Sequence, residues 1–470
     1  MFFSSARFPQ ALSSTRRLHV VLWSFLGVVV LLCGTLLVSS RARVTTIRMG
    51  LQIAGADMAH DEAGFTNLLL LGTGDEGHDG ADLTDTMILT SLDPSRTQSA
   101  VLLSLPRDLY VQTASGTAVY GRINTMYFLE KSRLEREGWS EEEASVRALA
   151  SVGQSIGGKL GLEIHGVLKA DFTAFTETVD ALGGITLTVP EAIVDYQYPL
   201  TETRMGTFRI GSGTQLLDGE TALKYARSRH STSDFSRSAR QQQLIQAAGS
   251  EIRSLGRIGQ ILFILRLSQR LQGHTETTLS LQEIMGLAQI ATEIASDSIL
   301  TMQLHTDSGG DGWEAAPGGL LTVGDPEQFA GASVLLPLSA SGRIDDWSRI
   351  RSFAALVMGR RSLFLDPSIV QIRSVPASRV AAWRLRNELL RHGFTVLPNE
   401  TLVAEEAAAQ NGSSLFFTNG RRSQAADVLG ALVGLPVERS SQADTGSGDL
   451  LMVLDSDYQF VPFGTPEQMM

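Results

Sequence analysis

Asn67-Leu68-Leu69-Leu70-Leu71-Gly72 decides the fold class. Four leucines in a row, stopped by a glycine, are too short for a helix and apolar at both parities. Such a run suits a strand buried on both faces of a sheet. Two further runs follow, Thr86–Leu92 (TMILTSL) and Ala100–Leu105 (AVLLSL), and Pro106 ends the second. Asp93-Pro94-Ser95 between them is a turn signal, so the two are expected to pair as a hairpin. Beyond them the period changes. Ser140-Glu141-Glu142-Glu143 reads as a capping box, opening a helix expected to end near Gly157-Gly158. Phe172–Leu182 is a second helix, stopped by Gly183-Gly184, and Ile185–Val189 alternates as a strand. Gly219–Ala226 and Ser236–Leu255 read as helices, and the strongly apolar Ile258–Leu271 as a buried one. Strands interleaved with helices predict an α/β sandwich with a mixed central sheet.

Downstream, Asp307–Gly319 is glycine-rich and reads as a loop or linker. Ser368–Val375, Arg379–Gly393, Phe394–Leu397, Ser414–Thr418, Gln424–Leu435 and Leu450–Leu454 then give a β-α-β-β-α-β order, a second and smaller α/β domain. Upstream, Val20–Val38 carries no charge over nineteen residues. At about 1.5 Å rise per residue it nearly spans a hydrocarbon layer of about 30 Å. Arg7, Arg16 and Arg17 precede it; Arg41 and Arg43 follow. A cleaved signal peptide is the alternative, but the run exceeds the usual ~7–15 residues and no small-residue cleavage motif follows. The expected organisation is a cytoplasmic tail (1–19), a transmembrane signal anchor (20–39), a tether (40–65) and a catalytic-type domain (66–305). A linker or extension (306–366), a C-terminal domain (367–460) and a tail (461–470) follow.

The 470 residues carry 39 Lys and Arg against 50 Asp and Glu, a net charge of −11, with 43% apolar content. That excludes a mostly disordered chain and argues against a nucleic-acid partner. Cys33, inside the apolar run, is the lone cysteine, so neither a disulfide framework nor a thiolate zinc site can form. The eight histidines show no metal-ligand spacing.

Three clusters carry potential chemistry. Lys224-Tyr225-Ala226-Arg227-Ser228-Arg229-His230, followed by Asp234, Arg237, Arg240 and Gln241, sets five cations against one anion in an acidic chain. If 227–229 is extended, Arg227 and Arg229 project on one side. Arg237 and Gln241 share a helix face at i and i+4. Guanidinium forks suit phosphate oxygens bidentately; the plainer reading is a solvated basic helix start. The second cluster is the loop Gly72-Thr73-Gly74-Asp75-Glu76-Gly77-His78-Asp79-Gly80, with Asp82 and Asp85 after it. A loop after a buried strand lies where α/β folds hold ligands, and a carboxylate before the next strand suits a hard divalent ion. An ordinary acidic turn is the alternative. The third is Ser104-Leu105-Pro106-Arg107-Asp108 with Arg122-Ile123-Asn124; a surface ion pair within it is the alternative.

Taken together, NLLLLG…LTDTMIL, LLSLPRDLYV, GRINTMY, DALGGITLTVP and LDGETALKYARSRHSTSDFSRSARQQQLI resemble the LytR-CpsA-Psr family of bacterial envelope phosphotransferases in order and spacing, over about 66–300 with a looser extension to about 360. Residues 367–460 resemble, more loosely, the LytR C-terminal-type domain often appended in that family. The resemblance implies a transfer reaction in which a glycopolymer moves from a polyprenyl-pyrophosphate carrier to a peptidoglycan sugar hydroxyl. It implies a protein anchored by a single membrane pass with its bulk outside. It implies that Arg107, Arg227, Arg229, Arg237 and Gln241 hold the pyrophosphate, with Asp234 orienting the arginines. Arg122 and Arg240 would assist at the substrate. Asp85 would bind a divalent cation, usually magnesium. One position departs from the pattern: Gly74 stands where the family usually has an aspartate, so either Asp75 or Asp79 supplies the missing carboxylate or the metal site works with a single one. A hydrolase that uses water as acceptor, and a non-catalytic envelope regulator that binds lipid-linked glycan, remain alternatives.

Overall fold

The structure is a computed structural model. It describes residues 58–463 except 76–79, 114–118, 200–204, 229–233, 256–262, 264–266, 268–269, 272, 281, 285, 288–289, 291–293, 295–297, 307–314, 340–341, 403–411, 418–421 and 440–447. The expected anchor therefore lies outside the described residues, among which no helix is long and apolar enough to cross a membrane.

In chain order the first strands are β1 (Thr66–Gly72), β2 (Thr86–Asp93), β3 (Ser99–Ser104), β4 (Tyr110–Gln112) and β5 (Tyr120–Arg122). Helices α1 (Met126–Arg136) and α2 (Glu141–Leu160), strand β6 (Gly166–Ala170), helix α3 (Phe172–Ala181) and strand β7 (Ile185–Val189) follow. Then come β8 (Ile193–Pro199), β9 (Met205–Ile210), β10 (Gly213–Leu217), α4 (Gly219–Arg227), α5 (Asp234–Ser254), β11 (Thr275–Thr277) and β12 (Ile299–Gln303). The remainder holds β13 (His305–Thr306), β14 (Gly319–Val323), β15 (Leu335–Pro337), α6 (Ser348–Gly359) and α7 (Ser362–Leu365). It ends in β16 (Ile369–Ser374), α8 (Arg379–Arg391), β17 (Thr395–Val396), β18 (Glu400–Thr401), β19 (Ser414–Phe417), α9 (Ser423–Val433), β20 (Val437–Arg439) and β21 (Leu450–Leu454).

Among the described residues the central sheet runs β11-β6-β1-β2-β3-β12 and is mixed. β1 is antiparallel to β2 and parallel to β6, and the expected hairpin pairs Asp93 with Ser99. The leucine run of β1 divides by parity. Leu69 and Leu71 face a core shared with α1, α2 and α6; Leu68 packs with Ile88, Leu102 and Leu168 in a core on the other face. Burial on both faces is why the run is uniformly apolar.

Helix α2 begins as its sequence dictates, with Ser140 Oγ accepting from Glu143 N at 3.3 Å. It ends later than expected, at Leu160, with Gly161 left-handed at φ 72°. Gly157 lies inside the helix, because a Cβ there would sit 2.5 Å from the Leu162 carbonyl oxygen. The glycine permits a close chain approach and does not stop the helix.

The region 306–366, expected as a linker or extension, is folded where described: it contributes β13–β15 and α6, and Ile350, Phe353, Leu356 and Val357 are fully buried. The smaller C-terminal sheet runs β17-β16-β21-β19-β20, with β18 pairing β16. Its Val370, Ile372, Leu415 and Met452 belong to the same apolar cluster as Leu69 and Leu89. Arg361 ties the end of α6 to the central sheet. Buried to 1% exposure, it donates to Met358 O (2.9 Å), Ser91 O (3.2 Å) and Ser91 Oγ (2.9 Å).

Candidate active site

β1 and β6 run parallel and β2 antiparallel, so the end of β1, the end of β6 and the start of β2 lie at one edge of the sheet. A cavity of about 580 Å³ opens there. Gly72, Thr73 and Gly74 line it from the end of β1, Asp85 from the start of β2 and Asp171 from the end of β6. Opposite stand Arg227 from the last residue of α4, and Arg237, Gln241, Leu244 and Ile245 from α5. Gly72 is in close approach: a Cβ there would meet Thr86 Cβ at 3.0 Å, so the Thr86 side chain would have to give.

The cavity has two chemistries. Leu70, Ile88, Leu168, Phe175, Leu244 and Ile245 make one side apolar; Arg227, Arg237, Gln241 and Asp85 bring charge and amide donors to the same space. Arg227 lies over the Phe172 ring at 4.3 Å from its centroid. Such a contact holds a cation by the ring's quadrupole. Because Arg227 closes a helix, the extended geometry considered for 227–229 does not hold at its first residue. Ser228 turns extended after it, and Arg229 lies outside the described residues. Asp234 begins α5, and its side chain is likewise outside what is described.

Arg240 departs from expectation. It is buried, is absent from the cavity lining, and donates through Nε to Tyr225 O at 3.0 Å and through Nη2 to Ser228 O. Those carbonyls close helix α4, so the guanidinium holds the turn that carries Arg227 rather than facing a ligand. Burial lowers its pKa from the ordinary arginine value. Asp195 supports the same turn: its Oδ2 accepts from Ser228 Oγ at 2.9 Å, and the residue also lines the cavity.

Arg107 and Arg122 stand beside the cavity rather than in its lining. Arg107 Nη1 donates to Asp85 Oδ2 at 3.0 Å, and Arg122 Nη1 to Asp108 Oδ1 at 3.1 Å. Arg107 Nε lies 3.6 Å from Asp108 Oδ2, so Asp85, Arg107, Asp108 and Arg122 form one alternating chain. Asn124 Nδ2 completes the hold on Asp85 at 3.2 Å from Oδ1.

The carboxylate expected from Asp75 is committed elsewhere. Its Oδ1 accepts from Thr173 N at 2.8 Å, satisfying the first turn of α3, and Asp75 is not among the lining residues. Asp79 lies outside the described residues. Sequence reasoning missed Asp171, whose Oδ1 caps α3 through Ala174 N (2.7 Å) and whose Oδ2 meets His274 Nδ1 at 2.7 Å. Burial raises the Asp171 pKa. Among the described residues no three His, Cys, Asp or Glu side chains are grouped to cage a metal. Asp85, with its side chain 44% exposed, offers one carboxylate. Magnesium is ordinarily held by one or two carboxylates plus phosphate oxygens and water. The donor set fits an ion that arrives with a phosphate ligand and does not form a cage of its own.

The Ile258–Leu271 segment, considered as a wall for a lipid tail, contributes Phe263, Leu267 and Leu271 to the core beneath the sheet. None of these three lines the cavity; its apolar wall on the helical side comes from α5.

The described domain is thus a mixed α/β sandwich with a cavity at the strand ends, cationic on one side and apolar on the other. Comparison with known proteins makes this specific. The LytR_cpsA_psr family model matches residues 40–317, over half of the chain, and the chain belongs to that family. It is 32% identical over 211 residues to the polyisoprenyl-teichoic acid–peptidoglycan teichoic acid transferase TagU of Oceanobacillus iheyensis, covering 44% of this chain and 58% of that protein. It is 27% identical over 224 residues to TagV of Bacillus subtilis, a transferase of the same description, covering 47% and 51%. The chain thus spans about half the length of the curated relatives it matches. Among solved structures, B. subtilis TagV aligns with TM-score 0.44 and 22% identity over 63% of this chain and 97% of that one. TagT bound to LI-WTA aligns with TM-score 0.39 and 23% identity over 59% and 87%.

Proposed function

We propose that this protein transfers a glycopolymer from a polyprenyl-pyrophosphate carrier to a peptidoglycan sugar hydroxyl. One observation carries the reading: a single cavity joins guanidinium and amide donors to an apolar wall, which matches a diphosphate joined to a polyprenyl tail. The relatives named as teichoic acid transferases support it. In the reaction, the acceptor hydroxyl oxygen attacks the phosphorus that bears the glycan. The bond from that phosphorus to the bridging oxygen breaks, polyprenyl phosphate leaves and the hydroxyl proton is released. Arg227 and Arg237 would neutralise the charge growing on the leaving phosphate, with Gln241 donating a hydrogen bond; catalysis here is positioning and charge stabilisation. Asp85, held in place by Arg107 and Asn124, would hold magnesium, which would supply charge neutralisation at the pyrophosphate. Arg229 and Asp234 would join this set by their place in the family pattern. Residues 20–39 would anchor the chain beside the bilayer with the bulk extracytoplasmic. Residues 367–460, with their β-α-β-β-α-β order, would be a LytR C-terminal-type domain.

The test incubates the full-length protein in detergent with a lipid-pyrophosphate-linked glycan, magnesium and peptidoglycan. Polyprenyl phosphate together with a glycan–peptidoglycan phosphodiester is the expected pair of products. Carrier cleavage that proceeds equally without peptidoglycan would instead make the protein a hydrolase. Absence of any cleavage would leave a binding protein.

A further inference from the structure

Transfer as proposed releases a proton from the acceptor hydroxyl, and a group at the cavity must take it up. Among the described residues three carboxylates line the cavity: Asp85, Asp171 and Asp195. Two have other duties. Asp85 accepts from Arg107 Nη1 and Asn124 Nδ2 and is the carboxylate left for a cation. Asp195 accepts from Gln197 N at 3.0 Å and from Ser228 Oγ at 2.9 Å, and the second bond holds the turn that carries Arg227. Asp171 has no part yet in the reaction.

Strand register places it. Gly72 of β1 stands beside Ala170 of β6, and Thr73 N donates to Ala170 O at 3.0 Å, so Asp171 leaves the sheet next to Thr73 and Gly74. Gly72 and Gly74 bring no side chains to that wall of the cavity. On the other flank Ala170 pairs with Thr275 of β11, and Asp171 N donates to His274 O at 3.2 Å. The side chains meet as well, Oδ2 to His274 Nδ1 at 2.7 Å, while Oδ1 accepts from Ala174 N at 2.7 Å. A carboxylate has about four acceptor sites, so these two bonds orient it and leave capacity for an incoming hydroxyl. The Asp171 side chain is 11% exposed, and burial raises its pKa. The charge of Asp75 acts in the same direction and the bond to His274 against it. A raised pKa favours taking a proton.

We propose that Asp171 is the general base of the transfer, accepting the proton of the acceptor hydroxyl, with His274 as the positioning residue that fixes its carboxylate at the cavity wall. This assignment rests on the transfer reading. As the hydroxyl oxygen bonds to the phosphorus that bears the glycan, its proton passes to an Asp171 oxygen. The bond from that phosphorus to the bridging oxygen breaks, the electron pair leaves with polyprenyl phosphate, and the neutral carboxyl then gives its proton to water. The residue after the base, Phe172, is the ring over which Arg227 lies, so proton acceptor and leaving-group cation are placed by adjacent positions of one chain segment.

The test uses the full-length protein in detergent with lipid-pyrophosphate-linked glycan, magnesium and peptidoglycan. Asparagine caps a helix as well as aspartate does, but its amide takes no proton. Asp171→Asn is therefore expected to keep the wild-type melting curve and the KM for the carrier while kcat falls about 10²-fold or more. His274→Gln should lower kcat less, again at unchanged KM; an unchanged kcat there would remove its positioning role. Asp171→Glu and Asp171→Gln are alike in size, and a higher kcat in the first repeats the comparison if Asp171→Asn folds poorly. Wild-type kcat in folded Asp171→Asn, equal kcat in the Glu and Gln variants, or a loss carried by KM alone would each overturn the assignment. If the wild-type protein cleaves the carrier equally without peptidoglycan and Asp171→Asn still loses kcat, the transfer reading fails and the base stands, with water in place of the sugar hydroxyl. No cleavage by the wild-type protein removes both.

Discussion

Arg227 and Arg240 stand thirteen residues apart in sequence and do opposite jobs. Arg227 lines the cavity with its guanidinium against the Phe172 ring. Arg227→Ala is expected to fold and to lose transfer by about 10³-fold, the low end for an arginine in phosphoryl transfer, because Arg237 shares the cavity. The product assay with a melting curve separates the two effects. Arg240→Gln should instead destabilise by ~1.5–3 kcal/mol in urea unfolding, since it strands the carbonyls of Tyr225 and Ser228. The i, i+4 relation of Arg237 and Gln241 was legible in the sequence because a helix face depends on spacing alone. The inward turn of Arg240 was not legible, because it depends on where α4 ends against α5. Asp171 carried a local signal only for its N-cap of α3; its place in the cavity, like that of Asp195, arises from strand order.

At the scale of elements, the position of Arg227 is set by the other end of its helix. Gly219 opens α4, its N–H donates to Asp180 Oδ1 at 2.7 Å, and a Cβ there would lie 2.4 Å from the Thr176 carbonyl oxygen. Gly219→Ala must push α4 off α3, costing ~1–3 kcal/mol. It should also lower transfer, because Arg227 moves with the helix. Lowered stability with unchanged kcat/KM would break that link. The elements most legible beforehand were those with a strong local code: the doubly buried β1, the β2–β3 hairpin and the Ser140 capping box of α2. Ribbons β4–β5 and β8–β9 escaped notice because their strands are short or partly exposed, so neither alternation nor a continuous apolar run marks them. Helix α6 lay in a stretch expected as linker or extension, although Phe353–Met358 is a continuous apolar run that signals burial.

Across the whole molecule the apolar cluster that begins at Leu69 extends through α6 to Met452, so the two sheets share a core. A single cooperative melting transition is expected, and Arg361→Met should lower its midpoint by removing the bonds to Ser91 and Met358; two separate transitions would contradict a shared core. Two buried histidines add a pH dependence. His165 and His392 both have pKa values lowered by burial. Below about pH 6.5 the unfolded chain takes up protons that the folded chain refuses, so stability is full above that value. It falls as pH drops toward the folded-state pKa values, by ~1.4 kcal/mol per pH unit for each histidine. His392→Phe, set among Phe353 and Phe463, should make urea midpoints at pH 7 and pH 5.5 converge relative to wild type. The size of the reaction cavity has a consequence of its own. About 580 Å³ is room for a drug-sized molecule, far less than a long isoprenoid occupies. Most of such a tail would stay dissolved in the lipid leaflet while only its first units rise into the protein. Under the proposed function, those few units would pass from one apolar medium to another, a small cost beside complete extraction into water, so a spent carrier would return readily to the lipid.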